Sequence, residues 1–134
     1  MRYDDWPDRL RDYLDATRPH DWASGNDCVQ WAGGAVEEMT GKNPFAHLAG
    51  YQTEDEARDI LEAQYDGSLA MLLDAHLDRI PKRLAGRGDL VLGPWGPRAE
   101  TVVGVCGGAE CYALGFDGLI AKPTCEAEAA WRVR

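Results

Sequence analysis

The chain has 134 residues, 45% of them hydrophobic and 28% charged, with 23 acidic side chains against 14 Lys and Arg and a net charge of −9. That is the length of one ordinary domain, with enough apolar material for a core that needs no staples. The acidic balance excludes a nucleic-acid surface, which needs clustered Lys and Arg, and no basic amphipathic stretch offers itself to a membrane.

The N-terminus, Met1-Arg2-Tyr3-Asp4-Asp5, is acidic where a secretory leader is cationic, and no apolar run reaches the length of a spanning helix. Synthesis and folding in a cytoplasm are expected. Tyr3, Trp6, Leu10, Tyr13 and Leu14 form a first helical stripe, with Asp5 and Asp8 marking a start around Pro7. A second helix is sharper: Cys28, Trp31, Ala32, Ala35, Val36 and Met39 share one face, Ser24 to Asp27 precede them as cap-type residues, and Thr40-Gly41 is the stop. Gly41-Lys42-Asn43-Pro44 reads as a loop. Thr53 to Glu56 is a capping box before Ala57, Ile60, Leu61 and Tyr65. Gly67-Ser68 starts a fourth helix whose stripe, Leu69, Leu72, Leu73, His76, Leu77 and Ile80, runs to Pro81.

After Pro81 the period changes. Gly88 to Leu92, Thr101 to Cys106, Cys111 to Gly115, Leu119 to Ala121 and Trp131 to Val133 read as short strands separated by Gly and Pro. Helices first (about 1–81) and strands afterwards (about 88–134) predict an α+β fold, with the helices packed on a small antiparallel sheet in one domain over 1–134.

The placement of Cys28 in the first turn leaves two readings open. Unpaired N–H groups and the positive dipole end favour a thiolate nucleophile there, and the same position on a core face suits an inert packed thiol. Cys106 and Cys111 bracket Gly107 to Glu110, a hairpin tip that would set their sulfurs across from each other. Without a secretory signal the expectation for Cys106, Cys111 and Cys125 is reduced core thiols. Their spacing matches no metal site, and neither a metal nor a cofactor is expected.

Asp27-Cys28 opening a helix, followed by Gly88-Asp89-Leu90-Val91-Leu92 opening the sheet, resembles the NlpC-type cell-wall peptidases of the papain-like superfamily. There the helix carries a nucleophilic cysteine after an aspartate, and the Gly-Asp-Leu-Val strand precedes the strand bearing the catalytic histidine. Over nearly its whole length the chain also resembles a small family encoded in the tail-gene clusters of phages and prophages. The matching pieces are Trp22 to Cys28, Thr40 to Pro44, Gly50 to Thr53, the Gly-Asp-Leu-Val strand, Gly118-Leu119 and Ala130 to Val133. These resemblances imply a papain-like fold and a tail-tip or tail-assembly component. They further imply other phage tail proteins as partners, peptidoglycan as a possible second one, and residence in the bacterial cytoplasm during synthesis and then in the virion tail.

One departure decides the expected chemistry. The peptidase histidine directly precedes a Val-Gly-Ile type run, and here that run is Val103-Gly104-Val105, so Val102 occupies the place of the general base. A thiol without a neighbouring imidazole, near its ordinary pKa of about 8.5, is only a few per cent ionised at neutral pH, and the acid that protonates the leaving amine is lost with the base. Hydrolysis is expected to be slow or absent. His20, in a loop shortly before Cys28, is the candidate for a relocated base. It stands against a surface or cap role, while His47 and His76 are weaker candidates. If His20 fills that place, the alternative is an active murein peptidase or amidase using Cys28 during genome entry. Among the tryptophans, Trp31, Trp131 and Trp6 fit packing positions. Trp22 and Trp95, in Gly- or Pro-flanked loops, are the candidates for a binding surface.

Overall fold

The computed structural model describes residues 1–134. Four helices, α1 (Trp6–Asp15), α2 (Cys28–Thr40), α3 (Glu54–Tyr65) and α4 (Leu69–His76), precede six strands: β1 (Asp78–Ile80), β2 (Leu90–Gly93), β3 (Val102–Cys106), β4 (Glu110–Gly115), β5 (Gly118–Pro123) and β6 (Ala129–Arg132). The strands form one antiparallel sheet in the order β1-β6-β2-β3-β4-β5. The fold is therefore α+β, as the change of period predicts.

The local signals act as expected at most helix ends. Asp27 caps α2 through its carboxylate, which accepts from the N–H groups of Val29 (2.9 Å) and Gln30 (3.2 Å), and Gly41 closes the helix in the left-handed conformation. Thr53 and Ser68 cap α3 and α4 in the same way, and Pro7 sits in the first turn of α1. The helix α2 lies against the sheet through Trp31, Ala32, Ala35, Val36 and Met39, all buried, with Val103, Val105, Leu90, Leu92 and Trp131 in the same core. Mid-helix Gly33 and Gly34 allow this crowding, because a side chain at 34 would run into the Tyr13 hydroxyl and one at 33 into Asn43. Tyr13 uses that approach to donate to the Trp31 carbonyl at 2.7 Å, bolting α1 to α2.

The fourth helix departs from its sequence pattern. It stops at His76 instead of reaching Pro81, Leu77 turns extended, and Asp78–Ile80 pair with Arg132, Trp131 and Ala130 as an edge strand. Side chains from both segments hold the switch: Trp131 donates to Asp74 at 2.9 Å, and Arg79 bridges to Asp74 while lying over the Trp131 ring. Long-range pairing has overridden the local apolar stripe.

The far face of the sheet carries a second, smaller core of Val91, Trp95, Cys106, Cys111, Ala113, Ala127 and Ala130. Trp95 lies across the bare backbones of Gly93 and Gly104 and donates to Glu126 at 3.2 Å. At one end of the sheet, Asp89 ties the chain termini together, binding Arg2 (3.0 Å) and the Val133 N–H (3.1 Å) through one oxygen and the Gly86 N–H (2.9 Å) through the other.

Candidate functional site

At the opposite end of β2, β3 and β4 a cleft of about 1150 Å³ opens between the sheet and the α3–α4 pair, and the mouth of α2 forms part of its wall. The helix α3 buries none of its residues completely, so its apolar side, Ala57, Ile60 and Leu61, lines the cleft instead of filling it. Glu54, Glu62, Glu100, Asp117 and Glu128 outnumber Arg58 and Arg98 along the walls, giving the cleft the sign of the whole chain.

Cys28, Asp27, His20, Trp22, Trp95 and Val102 all border this cleft. The Cys28 residue is half-buried, and its sulfur lies among the main-chain N–H groups of Val103, Val29 and Cys28 itself. The strand explains the first of these. Cys106 turns its N–H and carbonyl toward Asp89 and Gly88, so alternation along β3 directs the Val103 amide to the β4 side. The β3–β4 register begins only at Gly104↔Ala113, which leaves that amide free to face the sulfur.

These N–H groups favour the anion, as a helix mouth should, but burial acts the other way and is larger. Desolvation, with the adjacent Asp27 charge adding to it, pushes the Cys28 thiol up to about 12. The sulfur is a protonated thiol at neutral pH. Asp27 is 1% exposed, and burial raises its carboxyl as well, opposed by the Tyr51 hydroxyl and the N–H groups of α2. One carboxylate oxygen takes the cap bonds, and the other has no fully formed hydrogen bond.

The imidazoles are placed as follows. His20 is fixed by its main chain to the Gly115 carbonyl at 2.9 Å, and its ring stands edge-on to Trp22 (4.8 Å) and Phe116 (5.1 Å). It is near enough to Asp27 to act electrostatically on that carboxyl. His76, the last residue of α4, and His47, in the 3-10 turn Ala46–Leu48 after α2, are each 3.0 Å from the Tyr65 hydroxyl, and neither borders the cleft. None of the three rings is hydrogen-bonded to the Cys28 sulfur.

Val102 borders the cleft, but its side chain packs on the far-face core, while Val103 packs on the α2 side. Of the two loop tryptophans, Trp22 is half-buried beside His20 and Tyr51, part of an aromatic wall. Trp95 is 7% exposed and seated on Gly93 and Gly104, so packing accounts for most of its surface. Tyr51 is a site residue that the helical and strand patterns pass over. It is buried, with its ring 6.3 Å from Trp22 and its hydroxyl beside Asp27 and Gln30. Its sequence signal is membership of the Gly50 to Thr53 segment, with nothing to assign it a role.

No helix is long and apolar enough to cross a membrane. Residues 1–133 match the family model of a domain of unknown function, DUF6950, and the chain belongs to that family. No curated protein matches the sequence.

Proposed function

We propose that this DUF6950 chain is a tail-tip or tail-assembly component of a phage or prophage, built on a degenerate NlpC-type papain-like plan that no longer hydrolyses its substrate. The observation that carries the loss of chemistry is the state of Cys28: a desolvated thiol whose polar neighbours are N–H groups, with no imidazole bonded to it. A base must lie within hydrogen-bond reach of the proton it removes, directly or through one water. The order of elements supports the papain-like reading. An Asp-Cys pair opens the helix that packs on an antiparallel sheet, and the Gly-Asp-Leu-Val segment leads into the strand next to the sulfur. The tail assignment rests on the sequence resemblance to tail-cluster proteins.

Two experiments test the two halves. Incubating the protein and Cys28→Ala with peptidoglycan fragments is expected to release the same background of product from both. Immunogold labelling of purified particles is expected to mark the tail tip, and deletion of the coding sequence to leave defective tails. Normal infectious particles without the chain would overturn the structural role.

A second reading has one observation in its favour: His20 borders the same cleft as Cys28 and Asp27. On that reading the chain is a murein peptidase or amidase with His20 as a relocated base, active during genome entry. Product that depends on both Cys28 and His20 would establish it.

A further inference from the structure

We infer that Cys106 and Cys111 are a disulfide-forming pair, closing reversibly across the β3–β4 hairpin under a cover made by Thr124. The two residues are direct partners in the register of β3 and β4, and both side chains are buried in the far-face core. The Cys106 N–H donates to the Asp89 carbonyl and its own carbonyl accepts from Gly88, both at 2.8 Å, so its main chain is committed to the β2 side. The next rung toward the tip, Gly107 to Glu110, carries a bond to β4, also 2.8 Å. Cys106 and Cys111 therefore face each other at a non-hydrogen-bonded rung, where opposed Cα atoms approach to about 4.5 Å. A disulfide spans Cα separations of roughly 4.4–6.8 Å, so the native register already lies within its range, at the short end.

The surroundings prepare one sulfur to attack and the other to follow. The Gly108 N–H donates to Cys106 Sγ at 3.4 Å, and the Cys106 S–H donates to the Gly108 carbonyl at 3.5 Å. The Cys111 S–H donates to Thr124 Oγ1 at 3.4 Å, and the Thr124 hydroxyl in turn donates to the Gly108 carbonyl at 2.5 Å. The neighbouring Cys111 thiol and the Gly108 N–H hold Cys106 below the ordinary thiol range, and the same partnership holds Cys111 above it. Thr124 opens a single 3-10 turn, Thr124–Glu126, that lies over the sulfurs and is tied to the hairpin tip by its N–H to the Ala109 carbonyl at 2.9 Å. Gly107 and Gly108 at the tip accept the small twist of bond closure.

The co-reactant is a low-molecular-weight disulfide. The Cys106 thiolate attacks one of its sulfurs, forming a mixed disulfide and releasing a thiolate that takes up a proton. Cys111 then gives up its proton and attacks the Cys106 sulfur, forming the Cys106–Cys111 bond and expelling the second thiol. Two protein thiols are oxidised and one small disulfide is reduced to two thiols.

Oxidised glutathione serves as the probe, followed by alkylation in denaturant and peptide mapping. The expected product is one intrachain crosslink between Cys106 and Cys111 that dithiothreitol reverses, with Cys28 still alkylatable. Cys111→Ser is expected to stop at the mixed disulfide on Cys106. Because residues this close in sequence also meet in an unfolded chain, the same equilibrium is measured in urea. Folding is expected to favour the crosslink by about tenfold or more, as a fixed geometry raises the effective concentration of the second thiol. Four alkylatable cysteines after native oxidation, a crosslink through Cys125, or an equilibrium no better than in urea would overturn the inference.

Discussion

The main-chain N–H of Val103 faces the sulfur of Cys28, at the point where the β3–β4 ladder has not yet begun. That contact is what the cleft offers the thiol in place of a base, and it is too weak to offset burial, which pushes the thiol up to about 12. Below that value the thiolate fraction rises tenfold per pH unit. Alkylation of Cys28 by iodoacetamide, resolved by mass spectrometry, should be slower than that of free cysteine at pH 7 by about a hundredfold or more and keep climbing to pH 11, where free cysteine has levelled off. Rapid labelling at pH 6 would show a paired, activated thiol and return the peptidase reading.

Asp27 gives a prediction with a sign. Its carboxylate caps α2, yet burial raises its pKa above that of an unfolded carboxyl. A raised folded-state pKa contributes stability that is fully present below the unfolded value of about 3.9 and is lost as pH rises through the folded one. Asn keeps a capping oxygen and carries no charge. In urea unfolding, Asp27→Asn should improve relative to the native chain as pH goes from 4 to 7, whereas Asp27→Ala should lose about 1–2 kcal/mol with the cap. An Asn variant that falls further behind at neutral pH would show that ionised Asp27 is stabilised here.

How much of this was legible depended on whether the deciding partner was local. The limits of α2 follow from Asp27, the apolar spacing and Gly41, all within or next to the helix. The strand β1 does not, because Asp78–Ile80 continue the stripe of α4 and become extended only by pairing with β6, fifty residues later. The identity of residue 102 could be read from the chain, but not which face of β3 it presents, which depends on alternation fixed by the whole sheet. Trp95 sits in a Gly- and Pro-flanked loop that looks made for display. It packs instead because Gly93 and Gly104, from adjacent strands, leave a gap the size of an indole. Tyr51 belongs to the site only because the loop before α3 returns over the mouth of α2.

Asp89 is the electrostatic keystone of the other end of the sheet. Its side chain is 2% exposed, bridges to Arg2 at 3.0 Å and to Arg132 at 3.3 Å, and accepts from the Val133 and Gly86 N–H groups. Removing the acid takes the carboxylate from two partly exposed guanidinium groups and the acceptor from two amides, and breaking a buried pair from one side costs up to about 3–5 kcal/mol. Asp89→Ala should approach or cross the limit of folding in urea titrations. Arg2→Ala, which leaves Arg132 and both amides on the carboxylate, should cost clearly less. Equal losses would mean that Arg2, not the acid, is the organising group.

The contact between α1 and α2 makes the last prediction, because it depends on the absence of a side chain. A methyl group at 34 would collide with the Tyr13 hydroxyl and its ring edge, and that hydroxyl is held in place by the Trp31 carbonyl. Ala is ordinarily the better helix former, by up to about 1 kcal/mol. Overpacking a tight interface costs typically 1–3 kcal/mol, so Gly34→Ala should destabilise despite its helical propensity. Tyr13→Phe removes the colliding oxygen and the bond it makes. The two changes together should therefore cost less than the sum of each alone, by about 1 kcal/mol in a double-mutant cycle. Simple additivity would show that α1 shifts as a unit to admit the methyl group, and that the Tyr13 bolt does not fix the distance between the helices.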